Sequence, residues 1–163
     1  MDFHIVVLGL NVTGLGIVRC CRGKGLNVLG LKLSPRNIGA VSKLCSVTDL
    51  THLECDSDQI CEWLMDQSVE FTSKPMLFPT SDELVISLAK YKHKLDHHYL
   101  IWDNDIENIR SIISKNLLYK SVSESNLSVP PSVVINNRSM NKAPSRFEHY
   151  PYIVKPFFVS KGY

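Results

Sequence analysis

The apolar positions of the chain fall into short runs, parted by turn residues and by stretches of helical spacing. His4-Ile-Val-Val-Leu8 is an unbroken apolar run rich in β-branched residues, the pattern of a strand buried on both faces. Gly9 ends it, Gly14 and Gly16 follow, and Leu15, Val18, Arg19 and Cys20 continue at helical spacing. Gly23-Lys24-Gly25 then supplies a helix stop and turn before a second strand over Leu26–Lys32, which Ser34-Pro35 closes. Strand, glycine turn, helix and strand in this order predict the opening unit of a doubly wound α/β sheet.

The pattern repeats down the chain. Ile38, Val41, Leu44 and Cys45 predict a short helix within Asn37–Cys45, interrupted by Gly39, with a brief strand near Cys45–Val47. Asp58 is expected to cap a helix whose inner face is Ile60, Cys61, Leu64 and Met65. Met76-Leu-Phe78, bracketed by Pro75 and Pro79, predicts a buried strand. Thr80-Ser-Asp-Glu83 has the spacing of a capping box, with Thr80 as cap, ahead of Leu84, Val85, Leu88, Tyr91 and Leu95. Tyr99–Trp102 predicts a fifth strand, and Asn104 a cap for a helix carrying Ile106, Ile109, Ile112 and Ile113. The character changes at Ser114, and a domain boundary is placed near residue 113. Beyond it the pattern predicts a helix over Ser114–Glu124, a strand over Ser132–Ile135, a polar hairpin or loop over Asn136–Ser145 and a strand over Tyr152–Lys155 stopped by Pro156.

Composition narrows the class. The chain has 163 residues, 44% of them apolar, enough for a real core, and a net charge of +2 with the basic residues scattered. That scatter gives no nucleic-acid footprint. Five cysteines with no Cys-x-x-Cys pair suit free or buried thiols in a reducing compartment. No run is long enough to cross a bilayer, and Asp2 with the internal glycines and Arg19 argues against a signal peptide. A soluble, cytoplasmic protein without nucleic-acid or membrane partners is therefore expected.

Three places hold candidate chemistry. The opening turn reads Gly-x4-Gly-x-Gly, which fits neither the dinucleotide nor the phosphate-loop spacing. Its second strand ends in Lys32, where a dinucleotide fold carries an acid. The glycines are equally read as a tight strand-to-helix turn with no ligand. Thr80, Ser81 and Asp82 fall at the carboxyl edge of the sheet, where open α/β sheets bind ligands, or alternatively only cap a helix. His93 and His97 stand four apart, but Lys90, Lys92 and Lys94 around them favour a solvated basic helix end over a metal site. Lastly, Tyr150-Pro-Tyr-Ile-Val-Lys-Pro156 ends an apolar run on one lysine, Lys155. A buried ammonium needs a counter-charge, and a phosphate would provide it; an edge lysine reaching to water is the other reading.

These later motifs resemble the N-terminal part of an ATP-grasp ligase, of the carboxylate–amine ligase or carbamoyl-phosphate-synthase-like kind. The resemblance rests on Lys115 at a helix start, Leu127-Ser-Val-Pro-Pro131, Tyr150–Pro156 and Ser160-Lys-Gly162, with Phe78–Glu83 matching a sheet-edge segment. It has Ser114 before Lys115 where the family often has aspartate. It implies a Rossmann-like pre-ATP-grasp domain over 1–113 and the beginning of an α+β ATP-grasp subdomain over 114–163. It also implies ATP as the nucleotide, held by Lys115 and Lys155 with Ser160 and Gly162 in a glycine-rich phosphate loop. The substrate side would lie at Gly9, Asn11, Gly14, Thr80, Ser81 and Asp82, facing small-molecule carboxylate and amine substrates. The family's Mg2+ ligands would lie past Tyr163, so no catalytic or metal residue is assigned within this chain. The chain is accordingly expected to be a fragment, inactive alone, of a ligase that works through an acyl phosphate, with a homodimer as an open assembly state. A non-catalytic Rossmann-like binding or regulatory module is the alternative.

Overall fold

Burial on both faces is what a central parallel strand requires, and Ile5–Leu8 (β1) is buried at every position. The computed structural model describes residues 2–53, 56–102, 105–125, 127, 128, 151, 153 and 154. β1 pairs in parallel with Val28–Lys32 (β2) on one side and Met76–Pro79 (β4) on the other. Ser46–Asp49 (β3) adds to the outer edge of β2, giving a four-stranded all-parallel sheet of order β3-β2-β1-β4. The chain thus steps outward from β1 to β3 and then crosses back to place β4 on the far side of β1.

Alternation along β1 separates two cores, because successive strand side chains point to opposite faces. Val6 and Leu8 enter one cluster with Leu29, Leu31, Leu77 and the inner faces of two helices, Ser57–Gln67 (α2) and Asp82–Leu95 (α3). Those faces contribute Ile60, Cys61 and Leu64 from α2, and Leu84, Leu88 and Leu95 from α3. Ile5 and Val7 enter the other cluster with Val28, Leu10 and Val18, the last from Val12–Cys20 (α1). Tyr99 closes the first core: it is 1% exposed, and its hydroxyl donates to the Leu64 carbonyl at 2.6 Å.

Several elements depart from the sequence reading. Tyr99–Trp102 does not form a fifth strand; one parallel bridge joins Leu100 to Met76. The Tyr99 amide is already engaged by the Leu95 carbonyl in the turn that ends α3 (2.9 Å), which leaves Leu100 to make the pairing. The Asn37–Cys45 helix reduces to a 3₁₀ turn over Ile38–Val41. Its apolar residues Ile38 and Val41 face water, 55% and 88% exposed, whereas Gly39 is the buried position. The Gly39 amide bonds the Leu10 carbonyl at 2.8 Å, an approach that a side chain would crowd. Asp56, not Asp58, caps α2, accepting from the amides of Asp58 and Gln59. Asp58 instead pairs with Lys90 of α3 at 2.6 Å.

The chain divides into two compact units, Met1–Ile106 and Glu107–Tyr163. In the second, two helices, Ile106–Ile113 (α4) and Lys115–Glu124 (α5), meet at Ser114. The Ser114 amide closes α4 on the Arg110 carbonyl and its own carbonyl opens α5 by receiving the Leu118 amide, while its extended backbone (ψ 107°) breaks the helix between them. Asn104, Ser132–Ile135, Asn136–Ser145, Lys155, Ser160 and Gly162 lie outside the described residues. Of the apolar run before Lys155, the described residues Pro151, Ile153 and Val154 lie in no strand, and Ile153 and Val154 are 80% and 88% exposed. Tyr152 and Lys155, the two ends of the expected strand, lie outside the described residues. Among the described residues no helix is long and apolar enough to cross a membrane.

Candidate functional site at the carboxyl edge of the sheet

In a sheet of order β3-β2-β1-β4 the connections diverge at β1 and β4, so a crevice is expected beyond the carboxyl ends of these two strands. The loops that reach it are Gly9-Leu10-Asn11 after β1 and Thr80-Ser81 after β4. Gly9 turns the chain with φ +96°, a conformation glycine adopts without strain. Asn11 then caps α1, its Oδ1 accepting from the Gly14 amide at 3.0 Å.

The same asparagine spans the crevice. Its Nδ2 donates to the Thr80 hydroxyl at 3.1 Å, with the Thr80 carbonyl at 3.3 Å. The Thr80 hydroxyl in turn donates to the Leu8 carbonyl at 2.7 Å, with the Gly9 carbonyl at 3.2 Å. Two glycines make the close approach possible. A β-carbon on Gly14 would lie 2.0 Å from the Gly9 carbonyl oxygen, and one on Gly9 would meet the Thr80 hydroxyl. Gly9, Asn11, Gly14 and Thr80, four of the six expected substrate-side residues, are therefore gathered into one bonded cluster.

Ser81 and Asp82 sit at its margin. The capping-box reading is off by one residue: Ser81 caps α3, its hydroxyl accepting from the Leu84 amide at 3.4 Å. The Thr80–Glu83 spacing favoured Thr80, but the Leu8 carbonyl holds that hydroxyl instead. Asp82 lies exposed in the first turn of α3, where a carboxylate suits the helix dipole.

A residue that the sequence reading missed secures the other side of the loop. Asn37 Oδ1 accepts from two backbone amides, Leu10 and Leu33, each at 3.0 Å. With the Gly39–Leu10 bond this ties both polar groups of residue 10 to the segment after β2. The available signal was local: asparagine shortly after Ser34-Pro35 is a turn residue that bonds nearby backbone.

The missing ribose acid also has a structural answer. Lys32 ends β2 directly opposite Asp49 on β3, and the two form a 2.7 Å ion pair. Hydrogen bonds from Lys32 and Thr51 hold the Asp49 carboxyl well below the usual carboxylate range. The pair satisfies its own charges.

Three of the thiols, Cys21, Cys45 and Cys61, are of structural character. Burial pushes Cys61 up to about 12 and also raises Cys21 and Cys45, so these sulfurs stay protonated near neutrality and are poor nucleophiles. His97 and His98 lie ring to ring at 6.5 Å just after α3. Among the described residues no group of three or more His, Cys, Asp or Glu could hold a metal ion.

Of the expected nucleotide residues, Lys115 is placed in the second unit. It is the first residue of α5, half-buried, after a cap residue, Ser114, whose side chain makes no capping bond. No acidic residue stands in that first turn. A cation is ill-matched to the positive end of a helix dipole, and an anion there would satisfy both the dipole and the lysine. No protein-family model matches this sequence, and no curated protein matches it.

Proposed function

We propose that the chain carries the pre-ATP-grasp domain and the first nucleotide-binding elements of an ATP-grasp carboxylate–amine ligase of the carbamoyl-phosphate-synthase-like kind. The observation that carries this reading is an order of parts: an all-parallel α/β unit over Met1–Ile106, then Lys115 opening a helix, then the Leu127–Pro131 and Tyr150–Pro156 motifs. In such a ligase ATP phosphorylates a substrate carboxylate, and an amine displaces the phosphate from the acyl carbon. Lys115 and Lys155 would hold the polyphosphate by charge, and Ser160 and Gly162 would cover it with backbone amides. The Asn11–Thr80 cluster would fix the loops on the substrate side. No step is assigned to a metal within the described residues, where no group of three or more His, Cys, Asp or Glu could hold one.

Isothermal titration of the protein with a non-hydrolysable ATP analogue tests the assignment. In the intact parent enzyme, Lys115→Ala and Lys155→Ala should each weaken binding about ten- to a hundredfold, since a charge-assisted contact contributes about 1.5–3 kcal/mol. Val12→Glu places a carboxylate at the exposed start of α1, where a helix accepts an acid, and should leave affinity unchanged. Loss of binding in Val12→Glu with retention in both lysine variants would put the nucleotide on the first βα turn and overturn the ligase reading.

A further inference from the structure

We draw no further inference here: the strongest candidate, the apolar strip of Met76, Leu100 and Trp102 that stays exposed at the β4 end of the sheet, carries nothing because nothing in the structure shows what covers it.

Discussion

A β-carbon on Gly9 would stand 2.6 Å from the Thr80 hydroxyl oxygen, closer than such contacts occur. The two residues lie 71 positions apart in sequence and meet where the carboxyl ends of β1 and β4 converge. Gly9→Ala should therefore destabilise the protein by about 2–4 kcal/mol, from positive φ and the clash together. In a Thr80→Ala background the clash is gone and the glycine substitution should cost about 1–2 kcal/mol less. Urea unfolding of the four proteins of this cycle measures the coupling, and strict additivity would contradict it.

Gly14 and Gly16 stand one turn apart in meaning. A β-carbon on Gly14 meets the Gly9 carbonyl oxygen, a backbone atom that cannot rotate away, whereas one on Gly16 meets nothing within 4 Å. Gly14→Ala should cost at least about 3 kcal/mol. Gly16→Ala, on the exposed face of α1, should stabilise by about 0.5–1 kcal/mol through lower unfolded-state entropy. Thermal unfolding should shift in opposite directions for the two variants.

Asn37 is held to its place by what its side chain accepts. Asn37→Ala leaves the Leu10 and Leu33 amides without that acceptor and should cost about 2–3 kcal/mol. Asn37→Asp keeps the accepting oxygen and should be nearly neutral. Hydrogen exchange at the amides of Leu10 and Leu33 reads the effect directly: faster in the alanine variant, unchanged in the aspartate variant. Unchanged protection in Asn37→Ala would show that another group holds the loop.

Asp49 gives stability an acid limb. Its carboxyl titrates below the unfolded value of about 3.9, because Lys32 and Thr51 bond the ionised form. Its contribution is thus complete above about pH 4 and is lost as pH falls below that value. The Lys32–Asp49 pair is partly open to water, so the effect at neutral pH should be small. Asp49→Asn should flatten the stability curve between about pH 4 and pH 2 in urea titrations. An unchanged acid limb would assign the loss to other carboxylates.

What the sequence disclosed of this architecture was local. β1 and β4 were legible because each is a continuous apolar run stopped by glycine or proline, and a parallel sheet followed from the helical spacing between runs; that β1 pairs with β4 did not. The Asn11–Thr80 and Asn37–Leu10 bonds were not legible, since they join residues 69 and 27 positions apart and look locally like turn or cap residues. The cap of α3 slipped by one for the same reason: both candidates are hydroxyl residues, and a distant carbonyl decides between them.

Gly23 and Gly25 carry a consequence for engineering the molecule. Both hold φ near +70° in the turn between α1 and β2, with open space where a side chain would project. That turn lies at the amino edge, away from the bonds that Asn11, Asn37 and Thr80 make at the opposite end of the strands. Chain length there is decoupled from the crevice, so an affinity tag or a reporter peptide can be grafted between Gly23 and Gly25. The same guest inserted between Ser34 and Asn37 would pull Asn37 from Leu10 and let the β1–α1 loop drift.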